Sequence, residues 1–186
     1  MGYFGIGEVP FGLEDAKIAV NNLNGTWGTA VDIPSVRILR IRLETYNGVG
    51  EGDDIETVAH SKPKGATITV EMLGISSAVL EKITGLTKAS SGSAPNRKFS
   101  LRFNKYNAPY LGLCGRADSA EGGDAHFFVP KMKLMEGFEV TAQFNTFSIP
   151  SLNFKALVDP SWGNDIFDLI TNEAVTSVVI PPALAA

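Results

Sequence analysis

Between residues 66 and 73 the chain alternates: Ile68, Val70 and Met72 stand against Thr67, Thr69 and Glu71. Successive side chains of an extended chain point to opposite faces, so this pattern predicts a strand with one buried and one polar side. The period then changes. Ala78, Val79, Leu80 and Ile83 give a short helix one apolar side, Ser76 or Ser77 stands where its exposed amides need a cap, and Gly85 stands where helices commonly end in the left-handed conformation. A helix of about two turns is not stable alone in water, so it has to dock on neighbouring strands. An acidic turn, Gly52-Asp53-Asp54, opens this stretch. Nothing in it pairs a nucleophile with a base or spaces metal ligands.

The same alternation recurs along the chain. In residues 36–45, Leu39, Ile41 and Leu43 take one face and Arg40, Arg42 and Glu44 the other. Further strands are expected at residues 16–23, 99–103, 109–117, 126–135, 138–147, 152–158 and 165–172, the last with a helix as its rival. Pro130 inside its strand implies an edge or a bulge, because proline cannot donate to a ladder. Asn24-Gly25 is a turn signal, and Glu136-Gly137 makes a hairpin of the strands on either side of it. Nineteen glycines and ten prolines, scattered over 186 residues, fit many turns between short strands in a single domain. The fold class expected is mainly β, with one short α-helix and a long inter-strand loop.

The long loop is residues 46–64, YNGVGEGDDIETVAHSKPK. Compact domains mostly use connections of about 4–6 residues, so this length is unusual, and part of it can extend as a β-hairpin. GVGEGDD lacks the Lys-Ser/Thr of a phosphate-binding loop and opens no helix. Glu51, Asp53 and Asp54 lack the spacing of a calcium loop and suit a solvated acidic turn. The first fourteen residues mix Tyr3, Phe4 and Phe11 with four glycines. They either fray or form an arm whose aromatics bury against a neighbouring subunit, since aromatics on a free tail are costly for a monomer. Arg40 and Arg42 either face solvent or meet acidic residues of a second subunit.

Chemistry finds little purchase. His60 and His126 form no ligand pattern, and Cys114, the single cysteine, offers neither a Cys-x-x-Cys nor an internal disulfide. It fits a small buried hydrophobe better than a nucleophile. The acidic residues fall in turns and on polar faces. No catalytic, metal or cofactor-binding residue is therefore assigned, and no enzyme is expected. No apolar run approaches the roughly 20 residues of a membrane helix, and the N-terminus has no secretory pattern. A net charge of −4 disfavours a protein that grips nucleic acid.

The order of segments resembles that of siphophage major tail tube proteins. The similar stretches are FGLEDAKIAV (11–20), NGTWGTAVDIPSVRILRI (24–41), the Gly-Asp-Asp turn with its strand and Leu/Ile helix (52–85), FFVPKMKLMEGFEVTAQFNTFSIPSLNFKALVD (127–159) and NDIFDLITNEAVTSV (164–178). No single motif is diagnostic; the order is. The resemblance implies one tail-tube domain over residues 1–186, a β-sandwich or partial barrel with one short flanking α-helix and extended N- and C-terminal arms; the chain departs from those members that carry an extra immunoglobulin-like domain, for which no room is expected. Six copies would form a ring and rings would stack into a hollow tube, with subunit sheets joined into one barrel that leaves no exposed edge.

Residues 46–64 would reach the adjacent ring, giving Glu51, Asp53, Asp54 and Ile55 inter-ring contacts, while Tyr3, Phe4, Phe11, Arg40 and Arg42 would meet other subunits. Residues 1–14 and 173–186 would act as arms. DNA must slide through without specific binding, so the bore should favour acidic or small polar groups. The polar faces of two strands are the candidates: Thr67, Thr69 and Glu71, and Thr141, Gln143 and Asn145. Partners would be further copies of the chain together with tape measure, tail-tip and tail-terminator proteins, in a virion tail made in the host cytoplasm, with no cofactor and no membrane. A β-sandwich module that binds glycan or a receptor is the alternative, weakened by Trp27 and Trp162 standing far apart in sequence. A tube protein of a contractile tail or secretion system would share the architecture.

Overall fold

The computed structural model describes residues 10–52, 55–74, 76–85, 108–119, 122–135, 151–172 and 174–182, with backbone alone for 10–11, 47–52, 55–61 and 119. These residues form one antiparallel sheet and one helix: β1 (Pro10–Val20), β2 (Val31–Asp32), β3 (Val36–Gly52), β4 (Ile55–Met72), α1 (Ser77–Thr84), β5 (Leu111–Ser119), β6 (Asp124–Leu134), β7 (Ser151–Ala156) and β8 (Asp168–Asn172). The chain is mainly β, as its alternation requires.

The strand order is β2-β1-β5-β6-β7-β4-β3, and β8 pairs with β6 off this path. Pro130 explains the branching. Leu111 pairs with Met132 and Leu113 with Val129, so Pro130 and Lys131 together oppose Gly112 in a β-bulge. On its other edge β6 pairs with β8 up to Phe128 and with β7 from Met132 onward. The proline sits in the gap between the two ladders, where no donor is needed.

The sheet folds over so that β3, β4 and β7 pack on β1, β5 and β6. Ile68, Val70, Leu152 and Phe154 from one layer and Ala16, Ile18, Leu113 and Val129 from the other are buried in one core. Gly115 lets the layers close: a Cβ there would lie 2.6 Å from Leu39 Cδ2. The short helix α1 seals one end against β1 and β2, burying Val79 and Ile83. Ser76 occupies its N-cap, but no side-chain cap bond forms. Gly85 terminates it at φ 66°, donating to Glu81 O at 3.0 Å.

Three expectations are corrected. Residues 46–64 are not an irregular loop. They continue the β3–β4 ladder through Tyr46↔Lys62 and Val49↔Ala59 to Gly52↔Ile55. Glycines at 48, 50 and 52 and a polar composition hide the alternation, and Pro63 stands beside a register shift that tolerates it. The N-terminal arm ends earlier than residue 14, because Pro10 and Phe11 already pair with Ser119 and Asp118. Residues 174–182 lie back on their own sheet, with Val178 buried beside Cys114 and Phe128. Within residues 165–172, where a strand is expected over a rival helix, Asp168–Asn172 form β8. The strands expected at 99–103 and 138–147 lie outside the described residues.

Candidate assembly surface

Register determines which polar side chains share a face. Arg40 pairs with Thr69 and Thr69 with Asn153; Arg42 pairs with Thr67 and Thr67 with Lys155; Glu71 pairs with Ser151. Arg40, Arg42, Thr67, Thr69 and Glu71 therefore lie together on the outer face of the β3-β4-β7 layer, opposite the core-facing Ile68 and Val70. Sequence reasoning placed the arginines and the threonines in separate roles. The structure makes them neighbours and adds Glu44, Asn153 and Lys155. Alternation in residues 151–156 was the signal that could have found the last two.

This face is held by its own contacts. Thr67 Oγ1 donates to Glu44 Oε1 at 2.6 Å, Lys155 Nζ donates to Glu44 Oε2, and Thr69 Oγ1 donates to Asn153 Oδ1 at 3.0 Å. The Lys155 ammonium, then the Thr67 hydroxyl, hold the Glu44 carboxyl below its ordinary value. Arg40 and Arg42 are exposed, and among the described residues neither has an ion-pair partner. Both stand on β3, whose outer edge pairs with no further strand among the described residues. That edge is 17 residues long.

The β3–β4 hairpin outruns its support. The β4–β7 ladder stops at Ala66, so from Glu44 outward β3 and β4 pair with each other and with no other strand among the described residues. A two-stranded ribbon is marginally stable by itself in water. Lys64 lies over the Tyr46 ring, 5.0 Å from its centre, at the base of this ribbon. Glu51 and Ile55 stand at its tip by position in the backbone. Asp53 and Asp54 lie outside the described residues, as do Tyr3, Phe4, Thr141, Gln143 and Asn145; Phe11 is placed on β1 by its backbone alone.

The polar cluster most like a catalytic site does not assemble one. Asp124 and His126 are buried on β6, next to Thr176 of the C-terminal segment. Asp124 Oδ2 and Thr176 Oγ1 both contact His126 Nε2, at 3.2 and 3.1 Å. A relay would need the carboxylate on one ring nitrogen and the hydroxyl on the other. Asp124 instead accepts the Thr176 N–H at 2.6 Å, its hydroxyl at 3.1 Å and Asn172 Nδ2 at 2.7 Å. Burial alone would raise the Asp124 carboxyl, but these donors outweigh it and hold the group below its ordinary value. The cluster fastens the C-terminal segment, and Arg116 Nη1 assists by donating to Thr176 O at 3.0 Å.

Trp27 and Trp162, distant in sequence, meet edge to face with ring centres 5.3 Å apart, and both pack on Phe128. Their N–H groups are used internally, by Pro130 O at 3.1 Å and Asp168 Oδ2 at 2.7 Å. They form an internal wedge instead of a flat exposed platform. Burial pushes the Cys114 thiol up to about 12, as expected for a buried small hydrophobe. Among the described residues no group of three or more His, Cys, Asp or Glu side chains is arranged to hold a metal, and no helix is long and apolar enough to cross a membrane.

No protein-family model matches the sequence, and no curated protein matches it either. Among solved structures, the chain is similar to one in "Cryo-EM structure of the anti-feeding prophage (AFP) baseplate, 6-fold symmetrised", at a TM-score of 0.48 and 9% identity, covering 91% of this chain and 97% of that one. At that level of superposition nothing about function is transferred.

Proposed function

We propose that the chain is a structural protein of a phage-tail-type particle and, within that class, a tail tube subunit that joins copies of itself into hexameric rings stacked around a bore. The observation that carries this is the long β3–β4 hairpin, which runs past the end of the β4–β7 ladder on a layer whose edge strand β3 pairs with no further strand among the described residues. A long open edge invites pairing with another chain, and a ribbon of this kind gains stability when something packs on it. A subunit that completes its sheet with its neighbours satisfies both needs. The resemblance of the segment order to that of siphophage tail tube proteins supports the same arrangement.

In this reading one face carries two roles. Arg40 and Arg42, on the edge strand β3, stand closest to the adjoining copy and suit acidic groups there. Thr67, Thr69 and Glu71, one strand further in, line the bore, with Glu44 balancing Lys155. The hairpin tip, with Glu51 and Ile55, reaches the next ring. The subunit has no catalytic role and holds no cofactor. DNA passes without being gripped. Tape measure, tail-tip and terminator proteins would meet the tube along and at its ends, in the virion tail. Negative-stain microscopy of the purified protein tests this: rings or tubes are expected, whereas a strict monomer that binds glycan would favour a binding module.

A further inference from the structure

Residues 174–182 lie on the sheet without joining it. Among the described residues no backbone–backbone hydrogen bond ties them to a strand, and most of them are exposed. Their attachments are of two kinds. Val178, 2% exposed, packs in a second cluster with Cys114 and Phe128, on the side of β5 facing away from Leu113 and the main core; Ile180 packs against the same cluster, and Pro182 is buried. The polar attachment converges on one residue. Thr176 gives its N–H and its hydroxyl to Asp124 and receives Arg116 Nη1 on its carbonyl. A segment with so few anchors opens at lower free energy than the strands beneath it.

We propose that residues 174–182 form a strap that acid releases as a unit while the sheet stays folded, with Asp124 as its latch and Thr176 as its catch.

Charge sets the direction. Burial raises the Asp124 carboxyl, but the Thr176 N–H, Asn172 and the Thr176 hydroxyl hold it below its ordinary value, so it accepts their bonds as a carboxylate at neutral pH. Stability from such a group is present above its unfolded value of about 4 and is lost as pH falls through the folded one. The loss falls on the strap, because Thr176 donates two of these bonds, whereas Asn172 belongs to β8 and keeps its ladder with β6. Among the described residues, the titratable and charged groups facing the latch are His126 on β6 itself, Arg116 and Asp118 on β5, and Glu14 on β1, which pairs with Arg116. A proton on His126 adds attraction to the Asp124 carboxylate and fastens the strap. Once Asp124 is neutral, the same proton leaves His126 directly opposite Arg116, two cations beneath one catch.

Cys114, the single cysteine, is fully buried under this cover and reads the opening. Its labelling by 4,4′-dithiodipyridine, a disulfide that reacts with thiols in acid, tests the proposal in the full chain, each rate divided by that of the urea-unfolded chain at the same pH. Below about pH 4 the ratio should rise by up to about 10-fold per pH unit, the limit for one proton, with a far weaker urea dependence than global unfolding. Asp124→Asn should raise the ratio at pH 7 by about 10-fold and remove the acid rise. Thr176→Val keeps the latch and removes one bond of the catch; it should also raise the ratio at pH 7, and it serves where Asp124→Asn does not fold. A ratio that stays flat in acid, an acid rise carrying the full urea slope of global unfolding, or variants that label no faster than the parent at pH 7 would each overturn the proposal.

Discussion

The carboxylate of Asp124 accepts the backbone N–H of Thr176 at 2.6 Å, across 52 residues of sequence. This bond, with those from Asn172 and the Thr176 hydroxyl, pins the C-terminal segment to β6. Removing the carboxylate strands several buried donors, each worth about 1–3 kcal/mol. Asp124→Ala should therefore cost about 3 kcal/mol, lowering Tm by roughly 6–12 °C for a domain of this size. Thermal unfolding followed by circular dichroism measures it, and an unchanged Tm would refute the pinning role.

The same bonds set a pH dependence. Asp124 and Asp159 are both held below their ordinary values in the folded chain, because donated hydrogen bonds outweigh burial; Asp159 receives Ser161 and Asn21. A carboxyl with a depressed folded value contributes stability that is fully present above its unfolded value of about 4 and is lost as pH falls through the folded one. Urea midpoints should hold level down to about pH 4 and then fall. Asp124→Asn should flatten part of that fall, since asparagine does not titrate.

A close approach at Gly112 gives a packing prediction. A Cβ there would lie 2.4 Å from Trp27 Nε1, so Gly112→Ala must displace the indole that donates to Pro130 O. The cost should be about 1–3 kcal/mol, with a shift in tryptophan fluorescence as the ring leaves Phe128. An unaltered emission maximum would contradict this.

The surface arginines should behave in the opposite way. Arg40→Glu with Arg42→Glu touches exposed residues without partners among the described ones, so monomer stability should change by no more than about 0.5 kcal/mol. Assembly, read by sedimentation velocity, should be lost. Intact rings with both reversals in place would show that β3 does not border a neighbour.

Legibility in the sequence followed how local each feature is. The strand over residues 66–73, the helix with Gly85 at its end and the bulge at Pro130 could all be read because period, cap and missing donor act within a few residues. The outer half of the β3–β4 hairpin was legible only in part, as a possible extension of a long loop, since glycines at 48, 50 and 52 carry no side chain to show which face is buried. The Trp27–Trp162 contact and the Asp124–Thr176 bond depend on the sheet bringing distant strands together, and no spacing announces either. The shared face of Arg40 and Thr69 needed the β3–β4 register, which a single bulge shifts. An Asp two residues before one of only two histidines was the faint local trace of the buried cluster.

The central claim is that the sheet is completed by copies of the same chain around a hollow axis. Cryo-electron microscopy of the assembled protein tests it most directly. The account predicts rings in which the outer edge of β3 pairs with a strand of the adjoining subunit and Thr67, Thr69 and Glu71 face the bore. A particle that stays monomeric under every condition, or a tube with those three side chains on its outer wall, would contradict it.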